Sequence, residues 1–302
     1  MKPSIVIATY NRSSDLKRCL DSLMNQTAPD LEIIVIDDAS PDDTVEMVRR
    51  RYGDRVRLIE SETNQGSIKN RNRGARLAQG DVLFLIDDDT EFPGPDTVSE
   101  VTREFEKPYV GALAIPYYQD GELRQSATET SEGEHAVASY IGCASAIRRD
   151  LFLSLGGYEE FFHHQVEEDD LSIRMLNQGK IVQIARVSDP MMHYESPTRN
   201  FQRWDYLGRR NSILYIWKNA PLSFLLPNLL ATTVRGLTHA VKLRRFKGNL
   251  TGLAAGYGGM VASLFGKGCS RKPVRRAVYL ATLKLRKTPM PVAWTRERIE
   301  PR

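Results

Sequence analysis

Val82-Leu83-Phe84-Leu85-Ile86-Asp87-Asp88-Asp89 joins five apolar residues to three carboxylates. A short run with no polar face suits a strand buried on both sides of a parallel sheet. Three adjacent carboxylates at its end repel one another unless a cation lies among them. Hard oxygen ligands of this kind suit Mg²⁺ or Mn²⁺, with diphosphate oxygens completing the shell. A solvated acidic loop leading to a helix near Pro95 is the alternative.

Upstream, strand and helix signals alternate. Ser4–Ala8 and Leu31–Ile36 are apolar, β-branched runs, and Val56–Ile59 is a third. Between them, Ser13, Ser14 and Asp15 precede the i, i+3, i+4, i+7 stripe Leu16, Cys19, Leu20, Leu23, which predicts a helix. Asp42 and Asp43 open a second helix to Tyr52, stopped by Gly53. Ile68–Ala78 is a third helix, ending at Gly80, before the strand Val82–Ile86. Short β–α alternations imply an α/β chain with a mostly parallel, doubly wound, Rossmann-like sheet flanked by helices. Such sheets bind ligands beyond strand carboxyl ends, where strand order reverses. Asp37-Asp38 and Asp87-Asp88-Asp89 both sit at such ends.

From Thr90 to Thr198 the pattern is less regular. It predicts a helix over Val98–Phe105, a strand over Val110–Ile115, a loop or hairpin over Gln119–Glu134, and helices over Arg149–Leu155 and Asp169–Gln178. From Phe201 onward the chain reads as helical and basic, with an apolar face in Tyr206, Ile213, Leu214 and Trp217.

Several segments carry candidate chemistry. Asp38 can accept from a base N–H or ribose hydroxyls, or cap a turn. Gly66 permits close backbone approach, and Arg71 can pair bidentately with phosphate or simply lie on a basic helix face. Glu167-Glu168-Asp169-Asp170 opens a helix, where the dipole favours acids. Four in succession exceed what capping needs, and crowding raises the pKa of at least one, a property useful in a general base. His193 is a metal ligand or a structural histidine.

Composition narrows the classes. The sequence after the first strand, Ala8-Thr9-Tyr10-Asn11-Arg12, has no glycine, against a dinucleotide fingerprint, and no GxxxxGK[ST] loop occurs. Cys19, Cys143 and Cys269 form neither a disulfide framework nor a CxxC pair, which fits a reducing cytosol. We read no signal peptide and no run of roughly 18 apolar residues; Leu222–Leu237 is broken by Pro227, Asn228 and Arg235. Residues 1–198 carry 21 Lys and Arg against 35 Asp and Glu, and residues 199–302 carry 21 against 3. Basic residues alternating with apolar segments point to anionic lipid headgroups. A basic tail that neutralises the acidic half is the plainer reading. No nucleic-acid-binding module is present.

Taken in order, these segments resemble family 2 glycosyltransferases of the GT-A fold. The resemblance rests on Ser4–Arg12, Ile36-Asp37-Asp38-Ala39-Ser40, Asn64-Gln65-Gly66 with Arg71-Asn72, and Phe84–Asp89. Farther on it rests on Arg148–Phe152 with Gly156–Phe162, then Glu167–Leu171 with Arg174 and Gly179. It implies an inverting transfer from a nucleoside diphosphate sugar. Ala8, Tyr10, Arg12, Asp38, Gly66, Arg71, Asp87 and Asp88 would serve the donor, with Tyr10 stacking on the base. Asp89, Asp87 and His193 would hold Mg²⁺ or Mn²⁺. The family's base is the acid of an ED-like pair, here Glu167-Glu168, so Glu168 is expected to be the base, with Asp169 and Glu167 as alternatives. Gly142, Gly157, Arg203 and Trp204 are acceptor-side candidates.

Two other classes compete with this reading: a non-catalytic nucleotide-sugar-binding protein, and a nucleotidyltransferase, which needs the glycine-rich loop missing after the first strand. A processive polysaccharide synthase would carry QxxRW, whereas Asn200-Phe201-Gln202-Arg203-Trp204 has Asn at the first position. We therefore expect single-sugar transfer to a glycan or lipid-linked acceptor. The expected division is a GT-A domain over 1–218, with a nucleotide-binding half 1–90 and an acceptor-binding half 91–218. A basic helical extension over 219–302 would touch the cytoplasmic face of a membrane peripherally.

Overall fold

The computed structural model describes residues 1–126, 133–194 and 200–300. The first ninety residues form β1 (Pro3–Thr9), α1 (Ser13–Leu23), β2 (Glu32–Asp37), α2 (Thr44–Tyr52), β3 (Arg57–Glu60), α3 (Ser67–Leu77), β4 (Val82–Ile86) and β5 (Thr90–Glu91). The middle adds α4 (Thr97–Glu104), β6 (Val110–Ala114), β7 (Tyr117–Gln119), β8 (Glu122–Arg124), β9 (His135–Val137), β10 (Ser145–Arg148), α5 (Arg149–Ser154), α6 (Glu167–Asn177), β11 (Ile181–Ile184) and β12 (Met191–His193). The C-terminal part holds α7 (Phe201–Asn219), α8 (Leu222–Leu243), α9 (Phe246–Leu264), α10 (Arg276–Leu285), β13 (Met290–Pro291) and α11 (Val292–Ile299).

Nine strands form one sheet in the order β13-β9-β11-β6-β10-β4-β1-β2-β3. β9 and β10 run against the others, so the sheet is mostly parallel. Side chains on each strand alternate between two cores. On β1, Val6 packs with Ile68 and Ala75 of α3, while Ile5 and Ile7 pack with Leu16 and Leu20 of α1. That period of two, inside an apolar run, is what burial on both faces requires. Gly74 lets α3 sit close on β1, since a Cβ there would overlap Val6 Cγ1.

After β3 the chain returns to the other side of β1 as β4, so strand order reverses between β1 and β4. Both are parallel, and their carboxyl ends, Thr9 and Ile86, open on the same edge. A second sheet, β5-β12-β7-β8, stands on that edge. It pairs His193 with Thr90 and brings the Tyr194 amide onto the Asp89 carbonyl at 3.0 Å.

The chain beyond Asn219 is not a separate appendage. β13 adds a strand to the main sheet beside β9, and Val278, Leu285, Val292 and Ile299 join the larger core. A division at 218 therefore runs through that core. α8 and α9 pack on α7 and on each other, and α8 also meets α10 through Phe224 and Tyr279, ring centroids 5.3 Å apart.

Candidate functional site

A cleft of about 810 Å³ opens at the switch point, lined by Asp87, Asp89, Arg71, His193, Gly142 and the Glu167-Glu168-Asp169 run. Residues separated by more than a hundred positions meet here because β4, β12 and α6 converge on one edge of the sheet.

Asp89 is buried. Its Oδ2 accepts from Arg12 at 2.8 Å, while its Oδ1 has no hydrogen-bond partner and lies 3.3 Å from His193 Nε2. Burial disfavours the Asp89 anion, but His193 and Arg12 outweigh it and hold the carboxyl below its usual range. Burial also opposes charge on His193, and Asp89 overcomes it, moving the imidazole up. His193 Nδ1 is 3.2 Å from Gln119 Oε1, which fixes the ring.

A buried carboxylate oxygen beside an imidazole nitrogen is a pair of donors that could hold a cation. Asp87, His193 and Cys143 also bring one ligand atom each within 4.8 Å of one another. Cys143 is buried, and desolvation pushes its thiol well up. A thiolate is a soft ligand, matched to softer cations than Mg²⁺ or Mn²⁺. The donor set that fits Mg²⁺ or Mn²⁺ is therefore Asp89, Asp87 and His193.

Asp88 turns the other way. It accepts from Thr9 Oγ1 at 2.8 Å, lies 3.3 Å from Arg12, and does not line the cleft. Its burial lifts it to about 7. It ties β4 to β1, a role set by tertiary packing rather than by donor contact. Arg12 serves both Asp88 and Asp89 and also pairs with Asp15 at 2.9 Å.

Arg71, almost fully buried on α3, pairs with Asp87 and donates to the Gly142 carbonyl at 3.2 Å. Gly142 lies where a Cβ would come 2.6 Å from Glu168 Oε1 and 2.7 Å from Arg71 Nη1. A side chain at 142 would push the ends of Arg71 and Glu168 aside, so glycine leaves them room as they stand. Burial lifts Glu167 to about 7, and desolvation together with Glu167 raises Glu168 well above the usual carboxyl range.

The loop before these acids is strained. His163, Gln165 and Val166 all have positive φ, 62°, 69° and 74°, a rare state for a β-branched residue. Asn211 of α7 pins it: its Nδ2 donates to the carbonyls of Phe162, His164 and Gln165 at 2.8, 2.8 and 3.0 Å. At the other end, buried Asp170 accepts from Lys218 and Asn219 of α7 and from Arg174. α7 therefore holds α6 in place from two sides.

Beside the cleft, Tyr10 follows β1 and is 47% exposed. Asp38 accepts from the Gln65 and Gly66 amides at 2.7 and 2.8 Å, fixing the start of α3. Ala8, Tyr10, Asp38 and Gly66 flank the cleft rather than line it. Of the acceptor-side residues, Gly142 and Trp204 line it; Arg203 and Gly157 do not. Gly157 has φ 71°, and a Cβ there would meet Asn72 Oδ1 at 2.6 Å. Sequence reasoning passed over His164, Gln119 and Pro289, which also line the cleft. None belongs to a motif, and distant chain segments bring each one in.

A family model described as "Glycosyl transferase family 2" matches residues 4–156. The chain belongs to that family. It is 28% identical over 201 residues to an uncharacterized glycosyltransferase of Haemophilus influenzae, covering 63% of this chain and 67% of that one. It is 29% identical over 216 residues to the amylovoran biosynthesis glycosyltransferase AmsB of Erwinia amylovora, covering 65% and 70%. Among solved structures, a mannosyltransferase of Pyrobaculum calidifontis with GDP-Man and Mn²⁺ superposes with TM-score 0.59 at 20% identity, covering 87% of this chain and 86% of that one. The fold is GT-A, and this family 2 glycosyltransferase carries its acidic triplet at the switch point between β1 and β4.

Proposed function

We propose that the protein is an inverting, metal-dependent transferase that moves one sugar from a nucleoside diphosphate sugar to a hydroxyl of a glycan or lipid-linked acceptor. One observation carries this reading. The Asp87–Asp89–His193 cation site and the Glu167–Glu168 acids share one cleft, with Arg71 between them.

Mg²⁺ or Mn²⁺ bound there supplies Lewis-acid stabilisation of the departing diphosphate. Arg71 adds a fixed positive charge that costs no reorganisation during reaction. Glu168, raised by burial, takes the proton of the acceptor hydroxyl. That oxygen attacks the anomeric carbon opposite the leaving group, so the configuration inverts. Asp169 is engaged by Arg286 at 3.0 Å, which leaves Glu168 the better placed base. Trp204, against His164 with ring centroids 5.5 Å apart, offers an apolar wall to the acceptor sugar.

UDP- or dTDP-sugars are the favoured donors. The exposed Tyr10 ring suits stacking, and each Asp38 oxygen keeps a lone pair beyond its backbone amide for a base N–H. The Pyrobaculum protein holds GDP-Man, so guanine nucleotides belong in the same test. Single transfer is supported by Asn200 standing where the QxxRW of a processive synthase would begin. The basic C-terminal part supports peripheral contact with the cytoplasmic face of a membrane.

The test is transfer from UDP-, dTDP- and GDP-sugars with and without Mn²⁺, with NMR of the product's anomeric centre. An inverted linkage that requires the cation supports the reading. A retained configuration, or full activity of Asp89→Ala, would overturn it.

A further inference from the structure

α8 and α9 form a surface that sugar transfer does not use. They pack antiparallel, Thr233 Oγ1 meeting Tyr257 Oη at 2.7 Å and Gly236 facing Leu253. Glycines turn the inner edge of α9 onto α7: a Cβ at Gly248 would lie 2.5 Å from the Gln202 carbonyl, and one at Gly256 2.8 Å from Ile213 Cβ. The outer edges are apolar. Leu226, Leu230 and Val234 follow one another at i, i+4 and i+8 on α8, with Leu250 and Val261 on α9 and Phe265 just after it, and all are exposed. Leu226 is 65% and Phe265 77% accessible. A row of this kind along two adjacent helices marks an interaction face.

We infer that this hairpin lies flat in the surface of a membrane containing anionic lipids. No described helix is long and apolar enough to cross a bilayer, yet the apolar faces of both helices point outward together. Between Asp205 and Glu297 the sequence has no acidic residue. Lys242, Arg244 and Lys247 surround the turn between the two helices, where their stems can follow the apolar surface while their heads reach lipid phosphates. Charge of one sign suits an anionic leaflet and opposes a second copy of the same face.

The orientation ties this surface to the acceptor. Arg245 lies 3.9 Å over the Phe201 ring, and Gly248 abuts Gln202, so the basic turn sits at the start of α7 beside Trp204 of the cleft. Docking through the hairpin brings the acceptor side of the cleft to the headgroup layer, where a lipid-linked acceptor carries its sugar. This last step rests on the transferase reading; the docking itself does not.

The experiment is flotation of the full chain with phosphatidylcholine vesicles, with and without phosphatidylglycerol. The anionic vesicles should capture the protein, and added salt should weaken capture. Leu230→Glu/Val234→Glu/Leu250→Glu should lower the bound fraction by about tenfold or more, while Arg244→Gln/Lys247→Gln should remove the salt-sensitive part. Both variants should keep the wild-type shift in melting temperature with UDP and Mn²⁺, showing that they fold. Equal capture of wild type and the triple variant, or no capture by either vesicle, would overturn docking. So would a wild-type dimer in sedimentation that the triple variant makes monomeric, since the occupant would then be a second copy. Flotation needs no sugar transfer, so its failure is separate from failure of the proposed activity.

Discussion

Arg286 Nη2 donates to Asp169 Oδ1 at 3.0 Å across 117 positions of sequence. The guanidinium also stacks over Tyr215, 4.8 Å from its ring centroid. A carboxylate held this way is a poor proton acceptor, while Glu168, one residue earlier, lies beside Gly142 and Arg71 in the cleft. Glu168→Gln should lower kcat by about 10²–10⁴-fold. Asp169→Asn, which loses only a half-exposed ion pair, should cost about fivefold or less. Steady-state transfer rates of the two variants check the assignment, and reversed magnitudes would make Asp169 the base.

The cation site makes a second prediction. Chelation should abolish transfer, with Mn²⁺ or Mg²⁺ restoring it. His193→Ala should weaken metal affinity by about 10–100-fold, read by titrating Mn²⁺ against activity. Cys143→Ala should leave that titration unchanged, because sulfur suits softer cations than Mn²⁺ or Mg²⁺. A comparable loss in both variants would put Cys143 among the ligands.

Asn211 gives a third. Its one amide group serves three carbonyls of the strained loop before Glu167. Asn211→Ala leaves buried acceptors without donors and should cost about 1–3 kcal/mol in urea unfolding. Because the loop aims α6 at the cleft, kcat should fall more than KM rises. A stability loss with unchanged kcat would limit Asn211 to a structural role.

Asp88 and Glu167 make the metal-free fold sensitive to pH. Burial lifts both to about 7, above the roughly 4 of an unfolded carboxyl. Between those values the folded chain keeps protons that the unfolded chain has released. This contribution to stability is whole below the lower value and lost as pH rises through the upper one. Asp88→Asn should flatten the fall in unfolding free energy between roughly pH 4 and 7, measured by urea titration at each pH. An unchanged slope would mean that Asp88 is ionised throughout.

Much of the sheet was legible in advance. Ser4–Ala8 reads as the strand found at Pro3–Thr9, and Val82–Ile86 matches β4 residue for residue. Apolar runs and i, i+4 stripes are local and survive folding. The helix expected at Asp169–Gln178 begins two residues earlier, because the turn at Val166 places Glu167 on its first turn. β9, β12 and β13 went unread, since two or three residues show no period. β13 matters most: it draws a stretch assigned to an appendage into the main sheet.

The site divides in the same way. The sequence by itself determined the carboxylates at strand ends, the acids at the start of α6 and the basic C-terminal part, because residue type and spacing are properties of the chain. Only the tertiary structure decided which carboxylate faces the cleft. Asp89 turns one oxygen toward His193, while Asp88 turns inward to Thr9 and Arg12. It also decided that Arg286 engages Asp169 and that the apolar edges of α8 and α9 share one face. These depend on the direction of a side chain and on what distant segments pack against it. Spacing along the chain carries no record of either.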